Sequence, residues 1–404
     1  MTSAERREKR YQRRKAAREK KRRERLDRYD DFNRVSDPMK LMRANYDARQ
    51  GVMFKASVAR YSFHTYHNSF YLSNDMRNGK DVCDGFYSFT VIERGKVRPI
   101  HSLHYRERVI RRSVCVNALV PILSSNLIYD NGASLKGKGV SFAADRCETH
   151  LHGFYRETGN NDGWVILIDF RNFFGNILHQ PLFDYTIDRL ILDARLNKLT
   201  HDFISAPDHE KPPEERGKGL YIGPEDSQIY AVAYPNAIDH KIKDQWRLRY
   251  YARYMDDSYI IVKAKEEAQT ILKRLLAEYE KYGIIVNPKK THIQKLSQGF
   301  TFLKTRYFLT DNGAVIRKPC RDAIVRERRK MKKQYGLVLA GEMTQDQLTQ
   351  SYMSWRGAML KHDAYRSVRR MDALFFSLCG LKPWRKKHKK SYKECTEHDY
   401  IRTA

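Results

Sequence analysis

The residues best suited to chemistry are the run Tyr254–Met255–Asp256–Asp257, which sits between two apolar, strand-like segments, RYYARY and YIIV. Adjacent carboxylates in an exposed turn are an ordinary surface feature. Here the flanks place them instead on a tight turn of a buried ribbon, where two acids repel one another unless a cation neutralises them. A hard dication such as Mg²⁺ takes carboxylate oxygens and keeps other positions for water and phosphate. A third acid, Asp169, closes the apolar run Val165–Ile166–Leu167–Ile168. One role for it is to cap a helix starting near Arg171. The other is to join Asp256 as a second carboxylate from a neighbouring strand, the minimum for a two-metal site that activates a hydroxyl and holds a triphosphate.

Several elements must position these acids. The run VILIDF after Gly163–Trp164 reads as a central strand buried on both faces. Asp256–Asp257 sits at the tip of a hairpin, and an amphipathic helix follows over 265–282. Segment 86–101 reads as two short strands about Glu93–Arg94–Gly95. Helical spacing marks 41–77, 105–128, 178–205 and 226–246, with a Pro- and charge-rich loop at 207–216. Strands are expected at 284–286, 300–308 and 314–317, and helices from there to about 378. Strands wrapped by helices, followed by helices alone, predict an α+β core with a helical appendage.

Composition limits the partners. The 404 residues carry a formal net charge of +29, with 41% hydrophobic and 12% aromatic residues, enough for a substantial core. Residues 1–28 hold 14 Lys or Arg against 5 Asp or Glu, and residues 382–404 hold 8 against 3, so the body between them is itself basic. A solvated charge run is one account of such ends. Excess charge on the body as well favours a nucleic acid, whose condensed counterions are released by each Lys or Arg contact. The first 28 residues, free of Gly and Pro, are expected to be helical. No apolar run is long enough to span a membrane, and the N-terminus lacks a secretory pattern. Cys83, Cys115, Cys147, Cys320, Cys379 and Cys395 form no CxxC pair, so zinc sites and a disulfide framework are not expected, and a reducing cytoplasmic setting is. The histidines, among them His101, His104, His150 and His152, show no paired ligand spacing. SLKGKGVSFA (134–143) does not follow a P-loop pattern.

Taken in order, LIDFRNFF, GLYIGPEDSQ, YARYMDD, NPKKT and FTFLKTRY resemble the successive palm motifs of reverse transcriptases. KVRPIHSLHYRERVIRR resembles the fingers motif of the bacterial and group II intron lineage, and QSYMSWRGAMLKHDAYRSVRRMD resembles the thumb of bacterial members. The resemblance spans about residues 40–380. It implies a right-hand polymerase with a basic N-terminal extension (1–40), fingers (41–160), palm with a fingers insertion (161–310), helical thumb (311–381) and basic tail (382–404). It also implies an RNA template, a DNA or RNA primer, deoxynucleotides, and two Mg²⁺ ions with Mn²⁺ as a substitute. Asp169, Asp256 and Asp257 fall on the catalytic acids, with the Phe170 carbonyl completing a metal shell and Tyr254 and Met255 beside the substrate. Phe174 falls on the steric gate that crowds a ribose 2′ hydroxyl; its alternative is a core residue. Lys96 and Arg98 fall where fingers residues grip the triphosphate, a surface hairpin pair being the alternative. Lys290 matches the lysine that protonates pyrophosphate, with Lys289 as its rival. By the same resemblance 134–143 contacts template, and Trp355 packs the thumb. The stretch beyond the thumb is too short for an RNase H domain.

The second palm motif departs from the commonest form. Ile222–Gly223 stands where Gln-Gly is usual, and Ser227–Gln228 where Ser-Pro is. That form resembles reverse transcriptases of diversity-generating retroelements, which copy a template with errors at adenines. Ile222 removes a polar check near the sugar and templating pair, which relaxes discrimination. Tyr234–Pro235–Asn236 differs from the Tyr-Leu-Asn of that group. The resemblance leaves two rivals: a phage-defence reverse transcriptase using a structured noncoding RNA, and an idle RNA-binding protein. A small basic accessory protein is the further partner expected of the retroelement form, in a bacterial or phage-infected cell.

Overall fold

The computed structural model describes residues 2–93 and 95–380. The basic tail 382–404 with Cys395, and the hairpin-tip residue Arg94, lie outside the described residues. The chain divides into two compact units, residues 1–303 with 309–314, and residues 304–308 with the chain from 315 onward.

In the first unit a 27-residue helix, Ser3–Tyr29, begins the chain. Thr2 and Glu5 close a reciprocal capping box at its start. The helix is solvated until Leu26 and Tyr29 pack onto the core. Its end is held by Asp30, whose carboxylate accepts from the Leu192 and Asp193 amides, while Asp193 accepts from the Phe32 amide at 3.0 Å. Helices Pro38–Ala48, Ala56–Phe63 and Thr65–Arg77 follow. Strands β1 (Phe86–Glu93) and β2 (Lys96–Leu103) then form an exposed hairpin in which Glu93 opposes Lys96.

The central sheet is antiparallel, in the order β4-β5-β3-β6, from β3 (Trp164–Asp169), β4 (Tyr251–Tyr254), β5 (Asp257–Val262) and β6 (His292–Lys295). β3 is the inner strand that its apolar run predicts, with Val165 to Asp169 all buried. Helix Lys265–Lys281 packs on this sheet through Ala268, Leu275 and Tyr279. The Tyr259 ring meets Phe300 and Phe302 on β7 (Phe300–Phe302).

Four expected elements differ. Ile284–Ile285–Val286 is no strand: Val286 makes only an isolated bridge, to Phe170, and the strand beside β3 is the polar His292–Lys295. The span 300–308 is two strands, β7 and β8 (Thr305–Leu309), because Leu303 and Lys304 both take positive φ. The helix expected over 226–246 is Glu225–Ala233 and Asn236–His240, broken at Tyr234–Pro235 because proline supplies no amide. The helical span 178–205 likewise breaks before Ala194–Ser205, which Asp193 caps.

In the second unit β9 (Val315–Pro319) precedes helices Arg321–Leu339, Gln345–Met359 and Tyr365–Cys379. They enclose Met331, Leu348, Tyr352, Met371, Phe375 and Phe376. The Tyr352 hydroxyl and Arg356 both donate to Asp372, and Trp355 packs against the same helices, stacked on Tyr352.

Candidate active site

Strand register brings the acids together. Asp169 ends β3 directly opposite Asp257, the first residue of β5, and Tyr254 at the end of β4 also opposes Asp257. Asp256 occupies the turn between β4 and β5, and its carbonyl accepts from the Phe170 amide at 3.3 Å. Met255 makes that turn with φ +55°, a conformation costly for a residue with a Cβ. The turn is held from beneath by Arg253, which is buried. Its guanidinium donates to the Met255 carbonyl at 3.1 Å, to the Val232 carbonyl at 2.8 Å and to both oxygens of buried Asp239. The Tyr251 hydroxyl donates to the same Asp239 at 2.5 Å.

Asp169 is gripped by the loop Asn287–Thr291. The Asn287 side-chain amide donates to one carboxylate oxygen at 3.0 Å, and the Lys290 ammonium to the other at 2.6 Å. Asn287 N–H donates to the Asp169 carbonyl, and Asp169 N–H donates to the Thr291 hydroxyl. The loop folds on itself because Pro288 follows Asn287, whose side chain accepts from the Lys289 amide. Lys290, not Lys289, is the lysine paired with the acid. Asp169 is not a helix cap: the next helix, Phe173–Asn176, is preceded by Asn172.

Burial and mutual repulsion both act on the clustered acids. Burial, then the charges of Asp256 and Asp169, push the Asp257 carboxyl up to about 6. Burial raises Asp256 as well, with Asp169 repelling it and the Lys290 and Arg98 cations opposing the rise. Arg98 of the β1–β2 hairpin thus acts on Asp256 through space while pairing with Glu93 at 3.4 Å. The bond to Asp169 raises Lys290. Among the described residues no three His, Cys, Asp or Glu side chains form a ready-made metal cage. The donor set nevertheless suits a hard dication: three acid side chains at one edge, two of them raised by burial first and then by their neighbours' charge, which a bound cation would offset.

The other expected residues fall into place around this cluster or away from it. The Phe170 ring is buried against Phe173 and Tyr279. Phe174 is half-buried, and its carbonyl accepts from the Leu220 amide, tying it to the approach of the second motif. Ile222 accepts from His101 N–H of β2 at 2.9 Å, and Gly223 sits at φ +146° where a Cβ would lie 2.1 Å from the His101 carbonyl. Only glycine admits that approach. Ser227 is buried in its helix, whereas Gln228 is exposed and accepts from the Ser134 hydroxyl. Lys96 is exposed at the hairpin end. Sequence reasoning did not single out Arg253, Asp239, Asn287 or Thr291 as residues of the site, although three of them lie inside or beside the quoted motifs. It also missed the buried Arg111, which bonds Glu107 and Asp226.

A strand ending in an acid, an antiparallel hairpin with acids at its turn, and a lysine loop closing over the first acid define a polymerase palm. The chain belongs to the reverse transcriptase (RNA-dependent DNA polymerase) family, whose model matches residues 85–306, and its fold is accordingly the α+β right-hand type. Solved structures similar to it include apo telomerase from Candida tropicalis, at 14% identity and a TM-score of 0.48, over 72% of this chain and 58% of that one. Telomerase from Candida albicans, in complex with a TWJ fragment of telomeric RNA, matches at 12% identity and a TM-score of 0.48, over 80% of this chain and 62% of that one. The chain thus spans less than two thirds of either telomerase. No curated protein is significantly similar in sequence. No helix among the described residues is long and apolar enough to cross a membrane.

Proposed function

We propose that the chain is an RNA-directed DNA polymerase that extends a DNA or RNA primer with deoxynucleotides on an RNA template. The carrying observation is the cross-strand pair Asp169–Asp257 beside Asp256, with Lys290 on Asp169. Asp169, Asp256, Asp257 and the Phe170 carbonyl would hold Mg²⁺, which supplies Lewis-acid activation of the primer hydroxyl and neutralises the triphosphate; Mn²⁺ has the same preference for oxygen. Lys290 stands at the acids with a proton held by Asp169, placed to give it to a departing pyrophosphate. Arg98, already felt by Asp256, and Lys96 grip the triphosphate. Phe174 presents a ring against a ribose 2′ hydroxyl. Tyr254, Met255, Gly223, Ser227 and Gln228 shape the pocket for primer end and nascent pair. We assign 41–160 to fingers, 161–310 to palm and 311–381 to thumb, between basic segments 1–40 and 382–404.

Within the family, Ile222 and Ser227–Gln228 favour the mutagenic retroelement form, working in the cytoplasm of a bacterial or phage-infected cell with a structured RNA and a small basic accessory protein. A template/variable repeat pair beside the gene supports that form. An effector gene with a noncoding RNA supports the phage-defence form instead.

Asp256→Asn tests the activity. It should abolish primer extension in Mg²⁺ while leaving RNA affinity within about twofold, since affinity comes from Lys and Arg. Extension near the wild-type rate rejects the metal-site assignment; a wild-type chain that binds RNA without extending a primer is the idle binder.

A further inference from the structure

Helix Thr65–Arg77 turns its aromatic residues away from the core. It buries Ser69, Leu72, Ser73 and Met76, two of them serines. The opposite face presents Tyr66, His67, Phe70 and Tyr71 to solvent, with Tyr66 63%, Phe70 47% and Tyr71 68% exposed. Phe63, at the end of the preceding helix, is 84% exposed. Isolated exposed rings are common, but a contiguous array is not. The four rings of the helix form a chain: Phe70 to Tyr66 at 5.7 Å between centroids, Tyr66 to His67 at 6.4 Å and His67 to Tyr71 at 6.1 Å; Phe63 and His64, just ahead of the helix, pair separately at 4.9 Å.

The chemistry of the array selects its occupant. Tyr and Phe serve protein interfaces as well as base stacking, so the charge around these flat π-faces, with their hydroxyl and imidazole edges, decides between the two. Its setting is cationic: residues 40–80 hold seven Lys or Arg against only Asp47 and Asp75. Both acids are spent on ion pairs, Asp47 with Arg43 and Asp75 with Lys80 and Arg106. Lys55 and Arg60 are exposed on or beside the helix that ends in Phe63. Rings flanked by cations suit unpaired bases, because every base has a face to stack and every nucleotide a phosphate to neutralise.

We propose that the face Phe63, Tyr66, His67, Phe70 and Tyr71 is a stacking platform for single-stranded RNA. It shares no residue with the carboxylate cluster. The proposal rests on the chain being a polymerase that handles RNA, and it adds a second, sequence-tolerant contact by which unpaired RNA is held. Duplex RNA, whose bases are already stacked, does not engage it.

The test uses the full chain, a labelled oligouridylate single strand, a blunt RNA hairpin duplex, and fluorescence anisotropy. The triple variant Tyr66→Leu/Phe70→Leu/Tyr71→Leu keeps the surface apolar but removes the rings. It should weaken single-strand binding about tenfold or more, since each base left unstacked costs roughly five- to a hundredfold, with duplex affinity unchanged. Tyr66→Phe/Tyr71→Phe should bind as wild type. Tyr66→Leu and Tyr71→Leu, at the two most exposed positions of the helix, carry the same test singly, each expected to lose about fivefold. Single-strand affinity equal to wild type in the leucine variants overturns the proposal and gives the face to a protein partner. Primer extension by wild type on a saturating primer–template is measured alongside. Its absence rejects the polymerase reading, whereas the leucine variants decide the platform.

Discussion

Arg253 donates to the carbonyl of Met255, two residues on in the turn that follows its strand, while the rest of its guanidinium is fixed on Asp239 and the Val232 carbonyl. The strained turn that carries Asp256 is therefore braced by a fork of fixed geometry. An ammonium cannot reproduce that fork. Arg253→Lys should lower stability by on the order of 2 kcal/mol, because the pair is buried and loses bonds without losing charge. It should lower kcat while KM for the nucleotide stays within about twofold, as the turn shifts but the triphosphate grip does not. Thermal melts with a kcat and KM determination check this; an equal fall in kcat and rise in KM would show that the arginine serves binding instead.

Phe174 is half-buried and its carbonyl is bonded by the Leu220 amide, three residues before Gly223; if its ring is the steric gate of the proposed polymerase, truncation opens space beside the sugar. Phe174→Val should raise ribonucleotide incorporation relative to deoxynucleotide by an amount worth roughly 1–3 kcal/mol in discrimination. Competition between the two nucleotides in single-turnover extension measures it. An unchanged ratio makes Phe174 a packing residue.

Asp257 predicts a pH dependence of the metal-free chain. Its folded carboxyl is raised to about 6, so the fold favours the protonated acid. Stability from this group is fully present below the ordinary carboxylate range near 4 and is lost as pH rises through about 6. In EDTA, Asp257→Asn should therefore melt higher than wild type at pH 7.5, by on the order of 1–2 kcal/mol, and the difference should vanish toward pH 4. Mg²⁺ should close the gap at high pH by stabilising wild type alone. A pH-independent difference refutes the assignment.

The helix Ser3–Tyr29 is solvated along most of its length and strongly basic. If it grips RNA, deleting residues 1–28 should flatten the log–log salt dependence of RNA affinity by roughly 0.7–0.9 for each phosphate that is no longer neutralised. Extension of a saturating primer–template should survive, because the acids and the residues proposed to grip the triphosphate lie beyond residue 90. Identical slopes for the full chain and residues 29–404 leave the helix as a solubilising arm.

Much of this site could be read from the chain because its signals are local. An uninterrupted apolar run has few alternatives to an inner strand, and two acids between a tyrosine-rich flank and a β-branched one have few alternatives to a hairpin tip. Lys290 was legible only as one of two neighbours, and its ion pair with Asp169 separates them. What stayed hidden depends on partners distant in sequence. Asn287 and Thr291 look like ordinary turn residues until Asp169 lies between them. Arg253 looks like a surface arginine in a strand until Asp239 is folded beneath it. Local propensity even misled: Ile284–Ile285–Val286 is the better strand former, yet the ladder beside β3 goes to His292–Lys295, whose polar residues suit an edge. Pro235 was visible, but helical periodicity on both sides of it masked the break.

The opposition of Asp169 to Asp257 also sets how this sequence tolerates change. Side chains alternate faces along a strand, so a substitution within β3 alters one position, whereas adding or deleting one residue there reverses the facing of every side chain beyond it. The acid at the strand's end would then turn away from its partner as the buried run turned outward. Indels in Trp164–Asp169 should consequently be all-or-none, losing fold and activity at one stroke, while length variation between Pro207 and Gly217 leaves the register untouched.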